Sequence, residues 1–352
     1  MDTYYFTEMP YTAFPESEVD KYPSMRLTFP NSYFDPNAAH DLFKRYLDEF
    51  QYAEDVGFDG LMINEHHSTP SCMDVEVNIS GGILARVTSR ANILMLGNML
   101  PTSDNPVRLA EEIAMLDVIS GGRILSGFVR GIGIETWANN TNPVYNRERF
   151  EECHDLIIKT WTTPGPFRWE GKHYQYRAVN PWMLPMQQPH PPVWVPGTGS
   201  PETVEWAARN RYTYAAFLTE LKVAKELFQN YRSYAAEDGW EPGPDKFAFM
   251  ICCHVNETDE KAQETGKAFM WRMGYPLKGP REYWAPPGYF SRAGTAANAR
   301  RRVRPLNELS YQELQDDYHL VVGSPDTVIK KIAPHKRRVG CGGLAPRGPG
   351  WP

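Results

Sequence analysis

Four clusters of residues have side chains and spacing suited to chemistry. Glu65-His66-His67 sets a carboxylate and two imidazoles in succession. A histidine titrates near neutrality, so it can donate to a developing oxyanion or abstract a proton. A structural histidine pair is the competing reading. Gly197-Thr198-Gly199-Ser200, followed by Pro201-Glu202, combines exposed backbone with the start of a helix. Unpaired N–H groups and the positive end of a helix dipole there suit a phosphate. An ordinary capped turn explains the same string. Arg130 is followed later by Arg147 and Arg149, and guanidinium groups grip phosphate with two prongs. Surface salt bridging to Glu148, Glu151 and Glu152 is the alternative, chiefly for Arg149. Gly97-Asn98-Met99-Leu100-Pro101 offers a glycine and a carboxamide that can admit a flat ring and bond its heteroatoms. By itself it is only a loop.

The elements that must position these clusters alternate as short apolar runs and longer amphipathic ones, the rhythm of repeated βα units. Strands are predicted at Tyr4–Glu8, Asp59–Asn64, Ala91–Gly97, Gly122–Gly127, Pro191–Pro196, Tyr212–Phe217 and Phe247–Val255. Helices are predicted over Pro36–Val56, Asp74–Arg90, from an Asp104 cap through Leu116, and over Arg147–Trp161, Glu220–Glu237 and Thr258–Met273. Another begins after Ser200, and a hairpin is predicted over Phe167–Tyr176. The pattern predicts an α/β fold, a TIM-type (β/α)8 barrel. All four clusters fall at the C-terminal ends of predicted strands, where such barrels carry their sites.

Two segments depart from the rhythm. Residues 274–305 hold prolines, aromatics and Arg300-Arg301-Arg302 without periodicity, which reads as a mobile lid or a passive insertion. A last helix is predicted from Gly323-Ser324-Pro325-Asp326 through Ile332. Residues 333–352 then turn basic and Gly/Pro-rich, and read as an irregular tail with an altered C-terminus that lacks the last strand and helix. The expected organisation is one barrel domain over 1–332 followed by that tail.

Composition narrows the function classes. The chain has 352 residues, a net charge of −6 and no basic stripe, so no nucleic-acid partner is expected. Met1–Phe14 has no signal-peptide character and no stretch is apolar enough to span a bilayer, so no membrane association and a cytoplasmic location are expected. Five cysteines at irregular spacing form neither a disulfide framework nor a zinc pattern, and no metal is expected. Met9, Tyr11, Trp137, Tyr214 and the aromatic-rich insertion point to a roomy apolar pocket and a hydrophobic or aromatic substrate.

The combination resembles the bacterial luciferase-like family of flavin-dependent monooxygenases, from Tyr4 to about Ile332. The most specific stretches are Asn64-Glu65-His66-His67, Met99-Leu100-Pro101, Pro106-Val107-Arg108-Leu109-Ala110-Glu111-Glu112, Leu116-Asp117-Val118-Ile119-Ser120-Gly121-Gly122-Arg123, Gly127-Phe128-Val129-Arg130-Gly131 and Val204-Glu205-Trp206-Ala207-Ala208. The resemblance implies a barrel, usually dimeric, with FMN across its C-terminal mouth. It implies that Arg130 and Gly197, Thr198, Gly199 and Ser200 hold the phosphate, helped by Arg147 and Tyr145. Leu96, Gly97 and Asn98 would lie against the ring. His66, with His67 beside it, would serve acid/base chemistry. Val129 stands where luciferases carry a cysteine, which argues against light emission.

The expected activity is oxygenation of a hydrophobic small molecule by O2 and reduced FMN, supplied by a flavin reductase. No GxGxxG nicotinamide fingerprint opens a helix here. The rival readings are an F420-dependent hydride-transfer enzyme of the same barrel family, a non-catalytic flavin-binding relative and a metal-dependent hydrolase.

Overall fold

The computed structural model describes residues 2–301, 304, 306–338 and 345–346. Its strands are β1 (Tyr4–Phe6), β2 (Gly60–Ile63), β3 (Asn92–Met99), β4 (Ile124–Val129), β5 (Phe167–Glu170), β6 (Gln175–Val179), β7 (Val193–Gly197), β8 (Thr213–Ala216), β9 (Phe247–Phe249), β10 (Cys252–Val255), β11 (Leu320–Gly323) and β12 (Ala345–Pro346). A parallel sheet runs in the order β1-β2-β3-β4-β7-β8-β9. β5 and β6 pair as the antiparallel hairpin predicted from sequence.

Side-chain alternation builds two cores from one sheet. Tyr4, Phe6, Met62, Leu94, Leu96, Leu125, Trp194, Ala215 and Ala248 form one buried cluster inside the curl of the sheet. Their neighbours Tyr5, Leu61, Ile63, Ile93 and Met95 belong to a second cluster shared with the surrounding helices. The fold is a TIM-type α/β barrel with a packed interior.

The helices follow local signals. Pro36–Asp55 begins on Asp35, whose side chain accepts from Asn37 N, with proline in its first turn. The helix predicted from an Asp104 cap starts one residue later: Asn105 accepts from Arg108 N, and the helix continues through Ser120. Both asparagine and aspartate are good caps, and sequence alone did not rank them.

Three differences from expectation concern the end of the barrel. The predicted seventh strand is divided into β9 and β10, because Met250 N donates to Ala216 O in β8 whereas Cys252 N donates to His319 O. β11 was not predicted, although all four of its residues are buried. It pairs with one side of β10. On the other side, Ala345 and Pro346 pair in parallel with Cys252 and Cys253, and β12 lies beside β1. The expected missing strand is therefore corrected: a two-residue strand fills that place. The final helix likewise runs Pro325–Arg338, past Ile332. The remainder of the expected tail, 339–344 and 347–352, lies outside the described residues.

The insertion 274–305 carries helices Arg281–Trp284 and Arg292–Arg301. It packs over the C-terminal mouth through Trp137 Nε1, which donates to Glu282 O at 3.2 Å, and Tyr289 Oη, which donates to Gly131 O at 2.6 Å.

Candidate active site

A cleft opens at the C-terminal end of β2, β3, β4 and β7, enclosing about 1020 Å³ with its mouth included. Its walls carry an imidazole, apolar side chains and two arginines.

The imidazole comes from His66, just past β2. His66 Nδ1 lies 2.7 Å from Glu135 Oε1, and His67 Nδ1 lies 3.3 Å from Glu135 Oε2. Glu135 sits in the short helix Gly133–Ala138 after β4 and is buried. Arg26 NH1 stands 3.8 Å from the same Oε1. Burial alone would raise the Glu135 pKa. The bonds from both imidazoles and the Arg26 charge outweigh it, holding the carboxyl at about 2. Burial, followed by the Arg26 charge, lowers His66, whereas the bond to Glu135 raises His67 above the ordinary histidine value. The arrangement therefore favours a neutral His66 beside a more basic His67.

Glu65, also on the wall, is a second unusual carboxyl. Burial pushes it up to about 8, against the hydrogen bond it accepts from Val77 N at 3.0 Å. Nearby Asp74 is raised to about 6, again by burial first.

The apolar wall depends on a close approach of β3 and β4. Their register shifts between Leu96 and Asn98. A Cβ on Gly97 would lie 2.4 Å from Gly127 O, and one on Gly127 would lie 2.2 Å from Met95 O. Only glycine fits at either position. Leu96, Met99, Phe128, Val129, Ile132, Val195 and Phe217 are apolar walls here.

Arg130 and Arg147 line the same cleft with Gly197, Thr198 and Ser200. Burial lowers Arg147, and the Arg130 charge lowers it further. Two guanidinium groups held in one cleft favour an anion between them. Arg147 also reaches Glu151 at 3.4 Å; Arg130 makes no ion pair with a carboxylate among the described residues. Ser200 initiates the helix Pro201–Arg209, and its hydroxyl donates to Glu202 at 2.7 Å. Ser291 of the insertion donates to the same carboxylate.

Of the residues singled out in the sequence, His66, Leu96, Gly97, Arg130, Arg147, Gly197, Thr198 and Ser200 are walls of this cleft. Four stand outside its walls. His67 turns to Glu135, and Asn98 is buried on the strand. Gly199 takes a positive φ of 126° within the loop. Tyr145 is exposed and faces His173 and Lys172, because its turn Pro143–Tyr145 lies on the surface. Arg149 is structural, donating to the carbonyls of Pro101 and Ser103. The residues first taken for the apolar pocket do not form it. Met9, Tyr11 and Tyr214 are core, and Trp137 is tied to the insertion. Phe128, Phe150, Trp206, Phe217 and Tyr289 are the wall aromatics instead.

Sequence reasoning also missed Glu135, Arg26 and Tyr289. Glu135 had one usable signal, an acid isolated in the stretch Gly131-Ile132-Gly133-Ile134-Glu135-Thr136-Trp137-Ala138. Arg26 and Tyr289 had none, since they reach Glu135 and the cleft, respectively, from distant segments.

Among the described residues, no group of three or more His, Cys, Asp or Glu side chains is arranged to hold a metal ion. No helix among them is long and apolar enough to cross a membrane.

A TIM-type barrel with two arginines and an imidazole in one apolar cleft defines a class of cofactor-using enzyme folds. The chain belongs to the luciferase-like monooxygenase family, whose profile matches residues 28–341. It is 33% identical over 173 residues to the uncharacterized protein y4wF of Sinorhizobium fredii, covering 47% of this chain and 49% of that one. It is 28% identical over 228 residues to the alkanal monooxygenase beta chain of Photorhabdus luminescens, covering 62% and 68%. The match thus spans about half the length of the first relative. Among solved structures it is similar to the oxygenating constituent of 3,6-diketocamphane monooxygenase from Pseudomonas putida, a type II Baeyer-Villiger monooxygenase in complex with FMN. That likeness has a TM-score of 0.73 and 20% identity, covering 99% of this chain and 92% of that one.

Proposed function

We propose that this chain is the oxygenase component of a two-component FMN-dependent monooxygenase acting on a hydrophobic small molecule. The observation that carries this reading is one cleft whose walls bring together Arg130, Arg147, His66 and apolar side chains. The donor set fits FMN: guanidinium groups and a glycine-rich loop suit its phosphate, and the Gly97–Gly127 approach keeps the wall free of side chains where a flat ring would lie. Family membership and the FMN complex of the diketocamphane enzyme support the choice of cofactor.

Arg130, Arg147, Thr198 and Ser200 would hold the phosphate, and Leu96 and Gly97 would face the ring. FMN, reduced by a partner reductase, supplies the electrons that activate O2. His66 would accept or return one proton at the substrate, while the insertion around Tyr289 keeps water out.

A homodimer is part of the proposal. Val75, Ile79, Ile83 and Val87 are exposed, and so are Met115, Val118 and Ile119 on the adjacent helix. A contiguous apolar face of this kind is characteristic of an interface.

The test is binding of FMN, riboflavin and F420 by absorbance titration, followed by product analysis with chemically reduced FMN, O2 and a panel of hydrophobic substrates. The proposal expects FMN to bind more tightly than riboflavin and oxygenated product to form. Preferential F420 binding, or binding without product, would move the chain to one of the rival activities.

A further inference from the structure

We propose that Glu135 is a positioning residue whose buried carboxylate fixes His66 with its proton on Nδ1 and leaves Nε2 as the bare nitrogen toward the cleft. The inference rests on the acid/base reading of that cleft and adds the group that sets its polarity. An ionised carboxylate can only accept, so the imidazole nitrogen facing it at 2.7 Å must be the donor. The second ring nitrogen lies on the opposite edge, and His66 is a wall of the cleft. Glu135 does not share the exposure of an ordinary surface acid: it is 1% exposed and comes from a helix after β4, whereas the histidines follow β2.

The same carboxylate divides the work of two adjacent histidines. His66 takes the short contact and belongs to the cleft; His67 takes the longer one, 3.3 Å, and does not line it. His67 therefore acts as the cationic partner of Glu135, and His66 as the base. When His66 Nε2 takes a proton from substrate, the substrate keeps the electron pair, the Nδ1 proton stays on the ring and Glu135 remains ionised. The imidazolium so formed is held by the carboxylate it already bonds. The groups facing this trio are Arg26, which opposes a charge on His66, and the acids Glu8, Glu65 and Glu76, which favour charge on one or other histidine.

The test uses the full-length protein without flavin. Long-range nitrogen-15 correlation spectra of the histidine rings, assigned with His66→Gln and His67→Gln, report tautomer and titration midpoint. The expected result is a neutral Nδ1–H tautomer for His66 and a His67 midpoint above its usual value of about 6.5. Glu135→Gln is expected to lower the His67 midpoint by about one unit and to mix the His66 tautomers. Glu135→Asp, which keeps the charge, preserves the wild-type pattern and covers the case in which the glutamine variant does not fold. An Nε2–H tautomer for wild-type His66 overturns the proposal, as does a glutamine variant whose tautomer and His67 midpoint are unchanged. With reduced FMN and substrate, Glu135→Gln is expected to cut kcat about 100-fold with little change in KM for FMN. A wild-type protein that gives the expected spectra but no oxygenation would refute the monooxygenase reading and leave the role of Glu135 intact.

Discussion

The Arg130 guanidinium stands 5.0 Å from the centroid of the Tyr289 ring, and the hydroxyl of that ring donates to the carbonyl of Gly131, the next residue after the arginine. One residue of the insertion thus fixes both the side chain of Arg130 and the backbone beside it. Tyr289→Leu removes both contacts and is expected to weaken FMN binding about threefold to tenfold, the range of a partly desolvated cation–π contact. Tyr289→Phe keeps the ring and should lose less. Fluorescence titration of FMN measures both, and equal affinity in the leucine variant would refute a role for this contact.

The two arginines make a sharper prediction. Arg130→Ala should weaken FMN about tenfold to a hundredfold, as expected for loss of a charge-assisted hydrogen bond. Riboflavin, which has no phosphate, should bind wild type and variant alike. Comparing the two ligands separates phosphate recognition from general damage to the cleft.

The close approach of β3 and β4 predicts a strict steric limit. Gly97→Ala places a methyl group 2.4 Å from a backbone oxygen that cannot rotate away. Overpacking of this kind costs about 1–3 kcal/mol, and thermal unfolding should show a Tm lower by several degrees. An unchanged Tm with normal FMN binding would show that β4 can move aside.

Glu65 gives the stability a pH signature. Its folded pKa of about 8 lies above the unfolded carboxyl value, so the native state prefers the protonated form. This contribution is complete below the unfolded pKa and is lost as pH rises toward 8. Glu65→Gln retains an oxygen for Val77 N but cannot ionise. Relative to wild type it should be more stable at pH 9 by several kcal/mol, at about 1.4 kcal/mol for each pH unit between the two pKa values, with little gain at pH 5. Chemical denaturation at the two pH values tests the sign. A variant no more stable at pH 9 than at pH 5 would show that Glu65 ionises freely.

The exposed stripe predicts oligomeric behaviour. Replacing Ile79 and Ile83 with glutamate sets charges on the face proposed to pair. Sedimentation should shift from dimer to monomer, and a wild-type monomer would refute the dimer.

Much of this was readable from residue order. Strand-end positions located His66, Arg130 and the Gly197–Ser200 loop, because period and punctuation mark where a strand stops and barrels build their sites there. What stayed hidden was set by distance along the chain. Glu135 reaches His66 from another βα unit, and Tyr289 reaches Arg130 from an insertion without periodicity. Met9 and Tyr214 look like pocket residues in a string, but side-chain direction decides burial, and both point into core. β11 escaped because four apolar residues directly before a helix start look like the approach to that helix. β12 is two residues long, too short to carry any period.

The roof of the cleft rests on an atom that is missing from the chain. Gly133 has no side chain, and a Cβ there would meet Trp284 O at 2.2 Å and Pro286 at 2.4 Å. The insertion therefore meets the helix Gly133–Ala138 with no room to spare at a position two residues before Glu135 and three after Arg130. A methyl or isopropyl group at that point would act as a prop between the two. A side chain at position 133 would therefore press on the insertion and on the helix that carries Glu135 together.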